Sequence, residues 1–113
     1  MKSSPVLLMT YIRAENTEKI LKLLTKYKQQ NIFVFNDGPK LIEHKLQNSI
    51  TRKIIINFKK KYKINIYFSK KNLTQKKNLP IALNWVFQKF DRVIILEDDC
   101  IPSKSFFKFL SYS

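Results

Sequence analysis

One stretch of the sequence reads Val93-Ile94-Ile95-Leu96-Glu97-Asp98-Asp99-Cys100-Ile101-Pro102. Its four apolar residues run directly into three consecutive carboxylates. A short apolar run without alternation is typical of a strand covered on both faces, as in a parallel sheet between helices. Ligands of such sheets bind beyond the carboxyl ends of the strands. We therefore predict a buried strand that carries Glu97, Asp98 and Asp99 to a ligand-binding edge.

The acidic cluster has three possible interpretations. Adjacent acids repel one another, so at neutral pH they take up protons, spread into water or hold a cation, and carboxylates favour hard ions such as Mg²⁺ or Mn²⁺. Alternatively, Asp98, Asp99 and Ser103 simply begin a last helix, where acids complement the helix dipole. The third interpretation is the acidic strand end of a phosphate-loop NTPase. That fold needs a glycine-rich loop, and Gly38 is the only glycine of the chain.

Composition limits the class of protein. The chain has 113 residues, 44% of them hydrophobic, which predicts one domain at most with a core large enough to fold. The formal net charge of +14 predicts attraction to nucleotide phosphates, nucleic acid or an acidic membrane surface. A compositional bias of the genome toward lysine explains the same charge without any ligand.

Cysteine and histidine are too few for several kinds of site. The single cysteine, Cys100, excludes an internal disulfide, and there is no Cys/His spacing for zinc. The single histidine, His44, makes a catalytic triad hard to build, and we expect it on a solvated helix face. The apolar run at residues 5–12 is too short to span a bilayer and lacks a small-residue cleavage site, so we expect a cytoplasmic protein.

The rest of the chain alternates between strand and helix patterns. Apolar or β-branched runs predict strands at residues 6–11, 32–35 and 64–68. The turn signal at residues 36–39 places Asp37 at the carboxyl end of a strand. Such alternation implies right-handed crossovers, so we predict a three-layer α/β sandwich with a mainly parallel sheet.

Helices are predicted between the strands. One follows Arg13, and a long one runs from Leu41 with lysines on its wet sides. The apolar residues of the long helix step by four and are Leu46, Ile50, Ile54, Phe58 and Tyr62, with Ile55 beside them. After a polar loop at residues 69–78, another helix begins with Pro80 in its first turn. The apolar residues of a final helix are Phe106, Phe107, Phe109 and Leu110.

Short motifs that resemble one enzyme family span nearly the whole chain. They are Pro5-Val6-Leu7-Leu8, Arg13, Thr17-Glu18-Lys19, Asp37-Gly38-Pro39, Asn72-Leu73, Lys76, Ala82, Trp85, Ile95-Leu96-Glu97-Asp98-Asp99-Cys100-Ile101-Pro102 and Ser105-Phe106-Phe107. Together they resemble the amino-terminal half of bacterial nucleotide-diphospho-sugar glycosyltransferases with a GT-A fold. This family is distantly similar to the eukaryotic N-acetylglucosaminyltransferases that begin complex N-glycans.

The resemblance implies a metal-dependent donor site. The Glu-Asp-Asp element matches the family's DXD motif, so Asp99 is expected to bind Mn²⁺ or Mg²⁺ directly, while Glu97 and Asp98 face the ribose and the water shell of the metal. A divalent ion that bridges the diphosphate neutralises the charge on the departing nucleotide.

Three further residues are expected to bind the donor. By the resemblance, Asp37 accepts a hydrogen bond from the base, Arg13 lies near the phosphates, and Lys76 matches a basic position of the family. Arg13 also has a local rationale, because a guanidinium beside a helix start offers several donors to phosphate oxygens. The alternatives are a surface arginine at residue 13 and a turn-forming aspartate at residue 37.

The chain departs from the family in two ways. Relatives carry a glycine after Asn-Leu, where this chain has Thr74. A GT-A domain also runs to about twice this length, so residues 1–113 are predicted to be a single partial domain, the donor-binding half. The base that activates the acceptor is expected outside this chain, and whether the chain itself is an enzyme stays open.

The expected partners follow from these assignments. They are the donor, a saccharide or lipid-linked acceptor, an anionic inner membrane face, and a second copy or companion chain that covers the final apolar helix. The competing hypothesis is a basic, non-enzymatic nucleic-acid-binding module that uses the lysine clusters at residues 59–63 and 70–77. It is less favoured because the chain lacks an aromatic RNA-reading motif. The sequence does not indicate the sugar, the base, the acceptor or the stereochemical outcome.

Overall fold

Four strands form one sheet in which all neighbours run parallel. They are β1 (Val6–Thr10), β2 (Ile32–Asn36), β3 (Ile64–Phe68) and β4 (Ile94–Glu97). The computed structural model describes residues 4–103 and 105–106. Within these residues the α/β class, the parallel sheet and the strand positions agree with the prediction. The prediction that the acidic strand is buried was wrong in part, because β4 is an edge strand in which Leu96 is buried but Ile95 is 39% exposed.

The strand order places the acidic strand next to the first strand. Across the sheet the order is β3-β2-β1-β4, so the chain moves outward from β1 and then returns to its other side. Thr10 pairs with Asn36, Asn36 with Phe68 and Met9 with Glu97, so all four strands end at one edge. The order reverses between β1 and β4, and open parallel sheets bind ligands at such a reversal.

Helices cover both faces of the sheet. They are α1 (Ala14–Lys26), α2 (Lys45–Lys61) and α3 (Thr74–Val86), with a short 3₁₀ helix at Ile42–His44. Alternate residues of a strand point to opposite faces, so Leu8 packs in the cluster formed with α1 and α2, while Leu7 packs with α3. Burial of one such large apolar side chain stabilises the fold by about 1.5–3 kcal/mol. The packing of side chains on both faces therefore holds both helix layers against the sheet.

The first helix follows the predicted pattern. Thr17, Ile20, Leu21 and Leu24 of α1 are buried, at the spacing of one helix face. On the outer side, Lys19 and Lys22 pair with the acids four residues before them. Such exposed pairs contribute only about 0.3–0.5 kcal/mol each, so burial of the inner face holds α1 in place.

The predicted long helix is divided, and its two ends do not lie on the core face. Residues 42–44 form the 3₁₀ helix, and α2 begins only at Lys45. Leu46 is 68% exposed and Tyr62 is 45% exposed. Residues four apart advance about 400°, so a row of fours drifts by about 40° at each step and leaves the core face at both ends. The buried face of α2 comprises Asn48, Thr51 and Ile55 instead.

The prediction for α3 was wrong at its start. Residues 74–78, predicted to be loop, form the first turns of α3, and Pro80 lies inside the helix. The first turns escaped prediction because Gln75, Lys76 and Lys77 are polar and exposed. Pro80 has no N–H to donate to the carbonyl of residue 76, so one helical hydrogen bond is missing there.

The predicted final helix is only partly within the described residues. Phe106 packs against the core cluster on the α1 and α2 side of the sheet. Phe107, Phe109 and Leu110 lie outside the described residues. In the described part of the chain, none of the helices combines the length and the apolar character needed to cross a membrane.

Candidate functional site

A cleft opens at the edge where the four strands end. Its volume is about 730 Å³, within the range of small-molecule sites. The lining residues come from the ends of β1, β2 and β4, the loops after them and the start of α3. They are Met9, Thr10, Tyr11, Arg13, Asp37, Lys40, His44, Asn72, Thr74, Gln75, Asn78, Leu79, Glu97, Asp98 and Asp99.

Asp98 is the inward-facing member of the acidic cluster. It is 5% exposed. Its Oδ2 atom accepts a hydrogen bond from the Tyr11 backbone N–H at 3.1 Å, and its Oδ1 atom lies 3.2 Å from Nη1 of Arg13. Its backbone carbonyl accepts a hydrogen bond from Nδ2 of Asn16 at 3.0 Å. Asp98 therefore joins the end of β4 to β1 and α1, and its carboxylate is held by the protein.

Opposing effects act on the charge of this carboxylate. Burial raises the pKa of Asp98 above its usual value, because it disfavours the ionised form. The Tyr11 backbone hydrogen bond and the Arg13 guanidinium favour the ionised form and oppose that shift. The charge of Asp99 adds to the rise. Arg13 and Tyr11 thus make an ionised, buried Asp98 tolerable beside a second acid.

Glu97 and Asp99 are exposed, and both line the cleft. The chain turns sharply after β4, with the backbone N–H of Cys100 donating to the carbonyl of Glu97 at 3.4 Å. The acidic run is thereby divided into one internal carboxylate and two carboxylates available to a ligand. This division relieves the mutual repulsion of the three acids without protonating them all.

Arg13 lies at the N-cap position of α1, beside the helix start, as predicted. Its side chain stays 56% exposed although it pairs with Asp98. A guanidinium has five N–H donors, so one contact to a carboxylate leaves others for a ligand in the cleft.

Asp37 follows β2 and is 3% exposed. Its Oδ1 atom accepts hydrogen bonds from the backbone N–H groups of Gly38 at 2.8 Å and Leu73 at 2.9 Å. Its Oδ2 atom makes only long contacts, 3.4 Å each, to the side-chain amides of Asn72 and Asn78. Oδ1 therefore joins the β2 loop to the start of α3, while Oδ2 can still accept a short hydrogen bond.

Gly38 is where these two loops come closest. A Cβ atom placed on it would lie 2.8 Å from the carbonyl carbon of Lys71 and 3.1 Å from the backbone nitrogen of Asn72. Nδ2 of Asn72 donates to the Gly38 carbonyl at 2.8 Å across the same contact. The only glycine of the chain thus serves close backbone packing rather than a phosphate-binding loop.

A polar layer, formed by the buried Thr10, Asn36 and Asn48 and the partly buried Arg52, underlies the cleft. Nδ2 of Asn48 donates to the side-chain oxygen of Asn36 and to the backbone carbonyls of residues 11 and 37, at 2.9–3.0 Å. Nδ2 of Asn36 donates to Oγ1 of Thr10 at 2.9 Å. Nε of Arg52 donates to Oδ1 of Asn36 at 2.7 Å. Polar residues on the core side of α2 could have predicted this polar layer from the sequence, but they were not recognised.

Tyr11 links the acidic end of the cleft to a second, basic end. Its hydroxyl oxygen accepts a hydrogen bond from the Lys40 backbone N–H at 2.7 Å and lies 2.8 Å from Nδ1 of His44. The two rings meet edge to face, with centroids 5.4 Å apart. The prediction of His44 on a solvated helix face was wrong, because the 3₁₀ helix turns it toward Tyr11. Sequence reasoning missed Tyr11, Lys40 and His44 as lining residues.

The predicted donor-binding residues are thus distributed unevenly. Arg13, Asp37, Glu97, Asp98 and Asp99 come together at the cleft. Lys76 is exposed on α3 and is not among the residues that line it.

The carboxylates fit a cation carried by a phosphate ligand better than a site built from protein alone. Within residues 4–103 and 105–106, His, Cys, Asp and Glu side chains form no group of three that could hold a metal ion. When substrate phosphates and water complete its shell, Mg²⁺ usually binds only one or two protein carboxylates. The two exposed carboxylates at the cleft, Glu97 and Asp99, match that number.

Comparisons with known proteins identify no relative, so a function can be proposed only from the residues of the cleft. No family model matches the chain, and no curated protein or solved structure is significantly similar to it.

Proposed function

We propose that this chain binds a nucleotide-diphospho-sugar with Mg²⁺ or Mn²⁺ in the cleft, as the donor-binding part of a GT-A-type glycosyltransferase. The observation that carries the proposal is the placement of Glu97 and Asp99, exposed on a cleft at the reversal point of a parallel sheet. Parallel sheets bind nucleotides at this point, and the exposed carboxylates suit a phosphate-bound cation.

Asp99 is the residue we assign to the cation. It is exposed beyond the end of β4, whereas Asp98 is occupied by Arg13 and the Tyr11 backbone. The cation would supply charge neutralisation on the departing nucleotide diphosphate. Glu97 then binds through the water shell or the ribose, as the resemblance implies.

Arg13 supports the diphosphate end of the same ligand. Its half-exposed guanidinium stands at the start of α1, where backbone N–H groups and the helix dipole favour anions. A phosphate placed here would lie between Arg13 and the cation, so protein donors and metal would share its charge.

Asp37 supports the nucleoside end. Asp37 lines the cleft, and its Oδ1 atom accepts hydrogen bonds from two backbone N–H groups, whereas its Oδ2 atom has only long contacts. A base N–H group is a suitable donor to that oxygen.

Calorimetric titration of UDP with and without Mn²⁺ tests the proposal. Wild-type protein should bind UDP more tightly with Mn²⁺, and Asp99→Asn should weaken that binding at least about tenfold, a loss of about 1.4 kcal/mol. Asp91→Asn is the matched control, because Asp91 is an exposed acid before β4, at the opposite end of the strand. The proposal would be refuted if wild-type protein bound UDP equally well with and without Mn²⁺. It would also be refuted if Asp99→Asn and Asp91→Asn bound UDP equally well with Mn²⁺.

A second candidate, nucleic-acid binding, has one supporting observation. Lys59, Lys60, Lys61 and Lys63 are all exposed. They lie at the end of α2 away from the cleft, so binding there would not depend on Asp99. This hypothesis predicts affinity for a short duplex that falls steeply with salt and is unchanged by Asp99→Asn.

A further inference from the structure

Three large apolar side chains are exposed close in sequence to the cleft-lining residues Lys40 and His44. They belong to the segment between β2 and α2 and its first helical turn. Leu41 is 46% exposed, Ile42 is 82% exposed and Leu46 is 68% exposed. We call these three residues the apolar rim. A set of aliphatic side chains this exposed within six positions is unusual for a surface that meets only water, so it indicates a contact surface.

Basic residues surround the apolar rim. Lys40 and Lys45 are exposed within the same segment, and Glu43 is its one acid. A second basic pair, Lys70 and Lys71, is also exposed. Its loop is adjacent to this segment, because Gly38 packs directly against the backbone of Lys71. The surface therefore combines exposed aliphatic groups with a local excess of positive charge.

The apolar rim also borders the proposed donor site. Lys40 and His44 line the cleft and flank Ile42 in the chain. Whatever covers Ile42 therefore lies next to the mouth of the cleft. A partner at this position is well placed to present or receive a group transferred there.

We propose that the apolar rim inserts into the interface of an anionic bilayer, with Lys40, Lys45, Lys70 and Lys71 on the lipid headgroups. The consequence for function, presentation of the cleft to a membrane-embedded acceptor, rests on the proposed glycosyltransferase function. Stable attachment of a protein to a membrane surface generally takes two signals, and this surface supplies an apolar group and a basic cluster together.

Charge selects the bilayer over a second copy of the chain. The formal net charge is +14, so two copies facing each other across the same basic surface repel. An anionic lipid surface attracts that charge instead, and each lysine near the headgroups is expected to raise partitioning about fivefold. Removing two lysines should therefore weaken binding more than tenfold.

Vesicle flotation with the full chain tests the inference, without nucleotide or metal. We expect wild-type protein to float with phosphatidylcholine vesicles that contain phosphatidylglycerol, and to float far less with phosphatidylcholine alone. The double variants Ile42→Ser/Leu46→Ser and Lys40→Gln/Lys45→Gln should each lose at least about tenfold in partitioning. All four positions are exposed, so circular dichroism should show an unchanged fold.

Matched controls come from the far end of the same helix. Ile56 is 43% exposed on α2, and Lys60 and Lys61 are exposed at its end, about 24 Å along the helix from Lys45. Ile56→Ser and Lys60→Gln/Lys61→Gln should keep wild-type flotation. Equal loss in these controls would show diffuse electrostatic binding and overturn the inference.

Other outcomes are equally decisive. Wild-type protein that stays unbound, or an Ile42→Ser/Leu46→Ser variant that floats like wild type, removes the bilayer as the partner. A dimer seen by light scattering that this variant abolishes, with no flotation, assigns the apolar rim to a second copy. Asp99→Asn should float like wild type, because flotation is tested without nucleotide or metal. Wild-type protein that floats but binds UDP no better with Mn²⁺ would count against the donor site alone.

Discussion

The Nη1 atom of Arg13 lies 3.2 Å from Oδ1 of Asp98, and this ion pair joins the start of α1 to the end of β4 across 85 residues. Asp98 is buried while Arg13 is half exposed. The pair therefore places one charge of the acidic run inside the protein and keeps a guanidinium at the mouth of the cleft. Glu97 and Asp99, on either side of Asp98, are left exposed at the cleft.

The first prediction concerns the pH dependence of stability at Asp98. Burial raises the pKa of Asp98, so the folded state holds this proton more tightly than the unfolded chain does. Its contribution to stability is largest below the ordinary pKa of 3.8 and declines as pH rises through the folded-state pKa. Asp98→Asn does not titrate, so its unfolding free energy should improve relative to wild type between about pH 4 and pH 7.

Urea denaturation of both proteins across this pH range measures the difference. Asp91→Asn serves as the control for the loss of one acid, because Asp91 is exposed. A constant gap between Asp98→Asn and wild type at all pH values would contradict the prediction. Asp98→Ala should instead cost about 1–3 kcal/mol, since the Tyr11 N–H and Arg13 lose their acceptor.

The second prediction concerns Asn48. Its amide donates to three acceptors beneath the cleft, including the backbone carbonyls of Tyr11 and Asp37. Asn48→Ala leaves these buried acceptors short of a donor and should lower the free energy of unfolding by about 1–3 kcal/mol. Asn57→Ala is the matched control, because Asn57 is exposed on the same helix, and it should change stability by less than about 0.5 kcal/mol. Equal effects in a urea titration would show that the amide of Asn48 contributes nothing special.

The third prediction concerns Gly38→Ala. The added methyl group would meet backbone atoms of Lys71 and Asn72 at 2.8–3.1 Å, and backbone atoms cannot swing aside as a side chain can. Relief of this overlap must separate the β2 loop from the start of α3, at a cost of about 1–3 kcal/mol. Amide chemical shifts of Asn72 and Leu73 should move, since their contacts to Gly38 and Asp37 lie in this junction. Unchanged shifts and stability would mean that the loops pack less closely than described.

The fourth prediction concerns Thr74, which stands where relatives of the resembled family carry glycine. Its φ is 68°, in the left-handed region that disfavours a β-branched residue. Thr74→Gly should relieve about 1–2 kcal/mol of this strain, partly offset by the greater freedom of glycine in the unfolded chain. Thr74→Ala keeps a Cβ atom and should gain less. A thermal melt in which Thr74→Gly is the less stable of the two would refute the expected strain.

Several features were predictable because they depend only on neighbouring residues. The unbroken apolar runs at β1 and β2 predict buried strands, and the strand-helix alternation predicts a parallel sheet, which is what forms. The similar run at β4 gives a strand that is only partly buried, because its place at the edge of the sheet depends on the whole topology. The carboxyl ends of such strands share one edge, so the placement of Asp37 and the acidic run at that edge also follows from the chain order. Arg13 beside the start of α1 is another local consequence.

Tertiary structure alone decided which of the three acids is buried and which two are exposed at the cleft. Three adjacent carboxylates are equivalent in a sequence pattern, and only the approach of Arg13 and the Tyr11 backbone makes Asp98 the buried one. The same holds for His44, which a 3₁₀ turn brings to Tyr11. These outcomes depend on contacts between residues that lie 33 to 87 positions apart in the chain. A pattern of neighbouring residues carries no information about the free energies of such contacts.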